Sequence, residues 1–211
     1  MQTEPKFRTL IDVFNQSLAR TVSPDKTCLE ILRADREESI TFEQLRTRAR
    51  DFAIWLIQAK GIRPRDKVAI LGKNRTDWDV ALWGAILAGA VPVLIDPERP
   101  IEGVKNHIEH THTRLVIMAD DYQDADSRRE LSEFAAGSGM VCIEMTVFER
   151  VGLGSSGVSE LLDAIAPEIK IHDTAVILCT SGTTGDPREV ELTHGNLSAN
   201  LQGAVEKVKI G

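Results

Sequence analysis

Ala175-Val176-Ile177-Leu178-Cys179-Thr180-Ser181-Gly182-Thr183-Thr184-Gly185-Asp186-Pro187 decides how the whole chain is read. Its first five residues form an apolar run too short for a helix and suited to a strand buried on both faces. The run then breaks into hydroxyls and glycines. In α/β proteins, a turn of that composition after a buried strand is a way to hold phosphate. Glycines let the backbone approach an anion and adopt positive φ. Successive backbone N–H groups then form an anion nest, and the Ser and Thr hydroxyls add neutral donors. Arg188, just beyond, can pair bidentately with phosphate oxygens. The plainer reading is a polar surface turn, but six consecutive hydroxyl or glycine residues from Thr180 to Gly185 favour the phosphate loop. The spacing is not that of a Walker loop, because no Gly-Lys-Ser/Thr follows. A G-x-G-x-x-G string at Gly152 to Gly157 follows Glu149 and Arg150 in place of a strand end, so it reads as a loop.

Working outward, strands and helices alternate. Thr27 to Leu32 reads as a short strand. Thr41 with Gln44 forms a capping box and opens a helix whose apolar residues Phe42, Leu45, Ala49, Phe52, Ala53 and Leu56 share one face until Gly61 stops it. Lys67–Leu71, Val91–Ile95, Arg114–Met118, Met140–Met145 and Ala175–Cys179 read as strands. Asp77–Leu87, Ile101–His110 and Ser127–Ala136 read as helices, and Leu197, Leu201, Ala204, Val205 and Val208 mark a last one. This order predicts an α/β fold, a mostly parallel layered sheet with helices on both faces. The stretch from Val151 to Asp173 is the least defined, with a Gly/Ser cluster and one short helix.

The 211 residues suffice for one domain or a large piece of one. A net charge of −7 argues against wrapping a nucleic acid. There is no apolar run of transmembrane length and no leader-like start. The three cysteines, Cys28, Cys142 and Cys179, are too far apart for a metal pair or a disulfide framework. Cys28 and Cys179 are expected to be buried thiols, and by elimination the setting is expected to be cytoplasmic.

The segment Cys179 to Asn196 resembles the phosphate-loop signature of adenylate-forming enzymes: acyl-CoA synthetases, luciferases and peptide-synthetase adenylation domains. Asp66 to Trp78 is similar to the strand-turn-helix near the start of these AMP-forming enzymes, and Leu87 to Pro97 to their second shared motif. The resemblance implies ATP-dependent activation of a small carboxylic acid as an acyl-adenylate, then transfer to a thiol, usually CoA, with Mg²⁺ beside the phosphates. It assigns Thr180, Ser181, Gly182, Thr183, Thr184 and Gly185 to the β- and γ-phosphates, with Arg188 beside them. Asn74 to Trp78 and the Thr193-His194 pair lean toward fatty acyl-CoA synthetases. His194 either lines the acyl or adenylate site or serves in capping or packing. The chain departs from the family at Arg188-Glu189, where Lys-Gly is usual. Glu189 either weakens phosphate binding or points to solvent. Family members continue well past this length. The expectation is therefore an incomplete N-terminal domain without the C-terminal lid, inactive alone and prone to self-association through an uncovered apolar face; the alternative, favoured by Glu189, is a non-catalytic nucleotide-binding or interaction module with the same fold.

Three other groups stand out in the sequence. His107 and His110, three apart, would share a helix face, but an exposed helix end is the stronger reading and no metal ligand is assigned. Trp55, Trp78 and Trp83 sit among apolar helical neighbours, as core or interface anchors do. Arg46, Arg48 and Arg50 lie near acids and read as a solvated helix face.

Overall fold

The computed structural model describes residues 8–19, 23–32, 37–149, 159–180 and 188–207. Helix α1 (Leu10–Ala19) leads to a hairpin of β1 (Thr27–Leu32) and β2 (Glu37–Thr41), which form their own two-stranded antiparallel sheet. The remaining elements, in chain order, are α2 (Phe42–Lys60), β3 (Lys67–Leu71), α3 (Thr76–Leu87), β4 (Val91–Leu94), α4 (Ile101–His110), β5 (Leu115–Met118), α5 (Ala125–Gly137), β6 (Val141–Glu144), α6 (Ser159–Ile165), β7 (Thr174–Thr180), β8 (Arg188–Thr193) and α7 (His194–Lys207).

The main sheet has the order β6-β5-β3-β4-β7-β8, parallel except for β8. Its central strands are nearly all apolar because both faces are covered. Val68, Ala69, Ile70 and Leu71 of β3, and Leu115 to Met118 of β5, are buried throughout. On one side α2 packs against α3 and touches α6; α4 and α5 pack together elsewhere. Right-handed crossovers explain the split, since connections running opposite ways along a sheet must cross opposite faces. The predicted α/β class, with a mostly parallel layered sheet, is the observed one.

Local chemistry sets the boundaries. Thr41 caps α2 with both bonds of the capping box: its Oγ1 accepts from the Gln44 N–H, and the Gln44 Oε1 accepts from the Thr41 N–H. Gly61 ends α2 in the left-handed region at φ 64°, a conformation other residues adopt at a cost. Asp124 caps α5, accepting from the Ser127 N–H. Trp55, Trp78 and Trp83 all pack against the core, and the Trp83 ring centroid lies 5.1 Å from that of Phe14 in α1.

Several expectations are corrected. α1, β2 and β8 are elements that the sequence reading did not resolve. Cys28 and Cys179 are half-buried, not buried. Cys28 sits in the two-stranded sheet, whose residues are mostly exposed or half-buried, and Cys179 lies near the end of β7, where burial fades. His107 is fully buried, not at an exposed helix end. Val104, His107 and Ile108 form the inward stripe of α4, so the helix places the histidine on its core face. Arg48 reaches across to Asp77 of α3 and is less solvated than the arginine run suggested. The G-x-G-x-x-G string lies outside the described residues.

Candidate functional site

The carboxyl edge of the parallel sheet is where the chemistry-bearing residues gather. β4 and β7 are neighbours there, with Val93 beside Ile177 and Leu94 beside Leu178. The chain leaves β4 toward β5 on one side and leaves β7 toward β8 on the other. Ligands of open α/β sheets bind where strand connections diverge in this way. Around this edge lie Lys73 and Asn74 after β3, Asp96 to Pro100 after β4, and Asp121 to Gln123 after β5. Together they line hollows of about 340 and 410 Å³. Gln123 braces the rim by donating from Nε2 to the carbonyls of Pro97 and Arg99.

The phosphate-loop candidates divide between described and undescribed residues. Thr180 and Arg188 face each other as the last paired residues of β7 and β8, and the Thr180 hydroxyl donates to the Arg188 carbonyl at 3.4 Å. Both are exposed. Ser181, Gly182, Thr183, Thr184 and Gly185 lie outside the described residues, inside the seven-residue connection that this pair closes. The antiparallel ladder from Thr174–Thr193 to Thr180–Arg188 holds both ends of the connection rigidly at the carboxyl edge.

Glu189 follows a course the sequence did not reveal. Its side chain is 20% exposed and turns under α4, with Oε1 2.7 Å from Nδ1 of the buried His107. It therefore points neither to open solvent nor, in this arrangement, along the loop. Cys179 is its register partner on β7. Burial pushes the Cys179 thiol up to about 12; the Glu189 carboxylate adds to this and Arg99 opposes it. No sequence signal joins His107 to Glu189, because they are 82 residues apart.

His194 takes the packing position. It is 4% exposed, and its Nδ1 accepts the Leu10 N–H at 3.1 Å, tying α7 to α1. Burial lowers its pKa, with Asp173 and Asp12 opposing. The helix cap belongs to its neighbour: Thr193 Oγ1 accepts from the Asn196 N–H, and Asn196 Oδ1 accepts from the Thr193 N–H. Among the described residues, no helix is long and apolar enough to cross a membrane.

Comparison with known proteins agrees with this geometry. A family model described as AMP-binding enzyme matches residues 17–210. The nonribosomal peptide synthetase NPS2 of Ceriporiopsis subvermispora is 35% identical over 76% of this chain and 6% of its own length. A long-chain-fatty-acid–CoA ligase of Escherichia coli O6:H1 is 25% identical over 93% of this chain and 38% of its own. Among solved structures, the fatty acyl-adenylate ligase from L. pneumophila, in complex with acyl adenylate and pyrophosphate, superposes with a TM-score of 0.73 at 24% identity. The match covers 98% of this chain and 34% of that one. The chain thus spans well under half the length of these relatives.

Proposed function

The chain belongs to the AMP-binding enzyme family, and from that premise we propose that it supplies the phosphate-binding part of an ATP-dependent, AMP-forming ligase. In the reaction, a carboxylate oxygen attacks the α-phosphorus of ATP. The bond to the β-phosphate oxygen breaks, pyrophosphate leaves, and a thiol then displaces AMP from the acyl carbon. The observation carrying this reading is the Thr180–Arg188 pair, which closes a hydroxyl- and glycine-rich loop at the carboxyl edge where β4 and β7 diverge.

The loop's part is electrostatic. Backbone N–H groups and hydroxyls from Thr180 to Gly185 hold the β- and γ-phosphates, where negative charge collects as pyrophosphate departs. Arg188, exposed at the loop's exit, adds a full positive charge with two parallel donors. The loop's hydroxyl oxygens suit Mg²⁺, which prefers oxygen donors shared with phosphates; Thr180, exposed at the end of β7, is the described member of that set. His194 acts behind this surface by fixing α7, which continues directly from β8, to α1.

For the acid and the thiol we propose a fatty acid and CoA. The similarity to a long-chain-fatty-acid–CoA ligase over 93% of this chain supports this choice, as do Asn74 to Trp78 and Thr193-His194. The test is acid-dependent exchange of labelled pyrophosphate into ATP, in a protein that carries this chain together with the further length seen in its relatives. Fatty acids should drive exchange, and changing Thr183 and Thr184 to Ala should abolish it. Exchange driven by amino acids alone would overturn the substrate proposal. Exchange indifferent to the double change would overturn the loop's role. The 211-residue chain by itself is expected to stay at background, because holding acid, nucleotide and metal together takes a closed site.

A further inference from the structure

His107 on α4, Cys179 on β7 and Glu189 on β8 converge, with one ligand-type atom of each within 4.8 Å of the others. His110, one turn along α4, brings its Nδ1 to 3.8 Å from Glu189 Oε2. From this geometry we infer that the chain holds a divalent transition metal of the zinc type through His107, Cys179 and Glu189, with His110 as the fourth ligand.

The donor chemistry selects the ion. Thiolate and imidazole favour zinc-like cations, whereas magnesium and calcium take oxygen. The site is therefore distinct from the Mg²⁺ that accompanies ATP, and its existence does not depend on the proposed ligase activity. Charge also balances. One thiolate and one carboxylate neutralise a 2+ ion, and two neutral imidazoles add none, so the filled half-buried site is neutral.

The distances fit. Bonds of ~2.0–2.3 Å around a tetrahedral zinc place ligand atoms ~3.3–3.6 Å apart. The observed separations are 2.7 Å for His107–Glu189 and no more than 4.8 Å within the trio of His107, Cys179 and Glu189, while His110 lies 3.8 Å from Glu189 and outside that trio. The trio brackets that spacing and needs shifts of about an ångström, and His110 joins it by a side-chain rotation. The framework is firm where it must be and free where it can adjust. His107 is wholly buried, and the backbones of Cys179 and Glu189 are register partners in one ladder. His110 is 66% exposed and can swing inward. The other ring nitrogen of His107, Nε2, is buried without a hydrogen bond.

The position gives such a site a consequence. Cys179 immediately precedes Thr180, and Glu189 immediately follows Arg188. A metal here would clamp the two strands just below the loop they carry, and fasten both to α4.

The experiment uses the 211-residue chain and Co²⁺ as a spectroscopic substitute for Zn²⁺, with Zn²⁺ competition giving affinities. One equivalent of Co²⁺ should give a tetrahedral visible spectrum with a thiolate charge-transfer band, and Zn²⁺ should displace it. Cys179→Ser should remove the band, while the Cys28→Ser, Cys142→Ser double variant should keep it. Glu189→Gly and His110→Ala should each weaken Zn²⁺ binding by at least ~10-fold, since losing even an outer-shell partner costs about 10–100-fold. Glu189 partners the buried His107, so far-UV circular dichroism and urea unfolding must show that Glu189→Gly folds before its affinity is read; the exposed His110 carries no such risk. His107→Gln should behave likewise, with far-UV circular dichroism confirming that it folds. A wild-type chain without the thiolate band, or a band that survives Cys179→Ser, overturns the site. Unchanged affinity in Glu189→Gly also overturns it, and unchanged affinity in His110→Ala overturns the four-ligand arrangement.

Discussion

Asp79 sits in the first turn of α3 beside the hollow lined by Leu29, Glu30, Ile31, Leu32, Asn74 and Trp78. Its neighbour Asp77 pairs with Arg48 and Arg75; Asp79 has no such ion pair among the described residues. Burial pushes its carboxyl from 3.8 up to about 6, opposed only by its own backbone N–H. The folded state therefore binds the proton more tightly than the unfolded chain does. The stability this carries is complete below about pH 3.8 and is lost as pH rises through about 6. That gap corresponds to ~3 kcal/mol at ~1.36 kcal/mol per pH unit. Because the carboxyl keeps some contact with water, ~1–2 kcal/mol is the appropriate scale. Asp79→Asn removes the titration in nearly the same volume, and loses ~0.3–1 kcal/mol of attraction to the α3 N-terminus. The variant should thus be more stable than the parent by ~0.5–1.5 kcal/mol at pH 7.5, and equal or slightly weaker near pH 4. Urea unfolding followed by tryptophan fluorescence at the two pH values measures this directly. A variant no more stable than the parent at pH 7.5, or a stability difference that does not change with pH, would refute the argument.

Other perturbations test packing, acid response and the loop. A Cβ added at Gly84 of α3 would fall 2.6 Å from Phe52 Cδ1 and 3.2 Å from the Ala49 carbonyl. Phe52 cannot yield, because its ring stands edge-on to Phe148 at 4.4 Å and stacks on Trp55 at 5.7 Å. Gly84→Val should therefore cost ~1–3 kcal/mol in urea unfolding. His194 runs opposite in sign to Asp79: burial depresses its folded pKa below 6.5, so its contribution is present above 6.5 and is lost as pH falls through that lowered value. His194→Asn, which keeps an acceptor for the Leu10 N–H, should show a smaller loss of stability between pH 7.5 and 5.5 than the parent does. In an ATP-using protein containing this chain, Arg188→Ala should weaken kcat/KM for ATP by ~1.5–3 kcal/mol, the scale of a hydrogen bond to a charged group; unchanged kinetics would show that the guanidinium does not reach phosphate.

Legibility in the sequence followed the strength of the local signal. β3 and β5 are continuous apolar runs, and α2 carries its cap, its stripe and its stop in the letters, so the sequence places each to within a residue or two. β2 leaves no signal in the sequence, because Glu37, Glu38 and Ser39 give no apolar pattern and Ile40 alone is buried. β8 leaves no apolar signal either, because it is an outer strand of the sheet and its residues are exposed or half-buried. Its strand character comes from pairing with β7, which is a tertiary fact. The loop letters were legible, but the fate of Glu189 was not. Its partner lies on α4, and only the strand order places α4 over β7 and β8. The apolar spacing of Val104 and Ile108 carries the signal that His107 faces the core, because His107 falls on the same stripe of α4.

The central claim is that the connection closed by Thr180 and Arg188 binds the terminal phosphates of a nucleotide. Phosphorus NMR of Mg²⁺–ATP titrated with the 211-residue chain tests it most directly. The β- and γ-phosphate resonances should shift or broaden with the parent chain, and should do so far less with Thr183 and Thr184 both changed to Ala. Equal perturbation by parent and double variant, or none by a folded parent at millimolar nucleotide, would contradict the account.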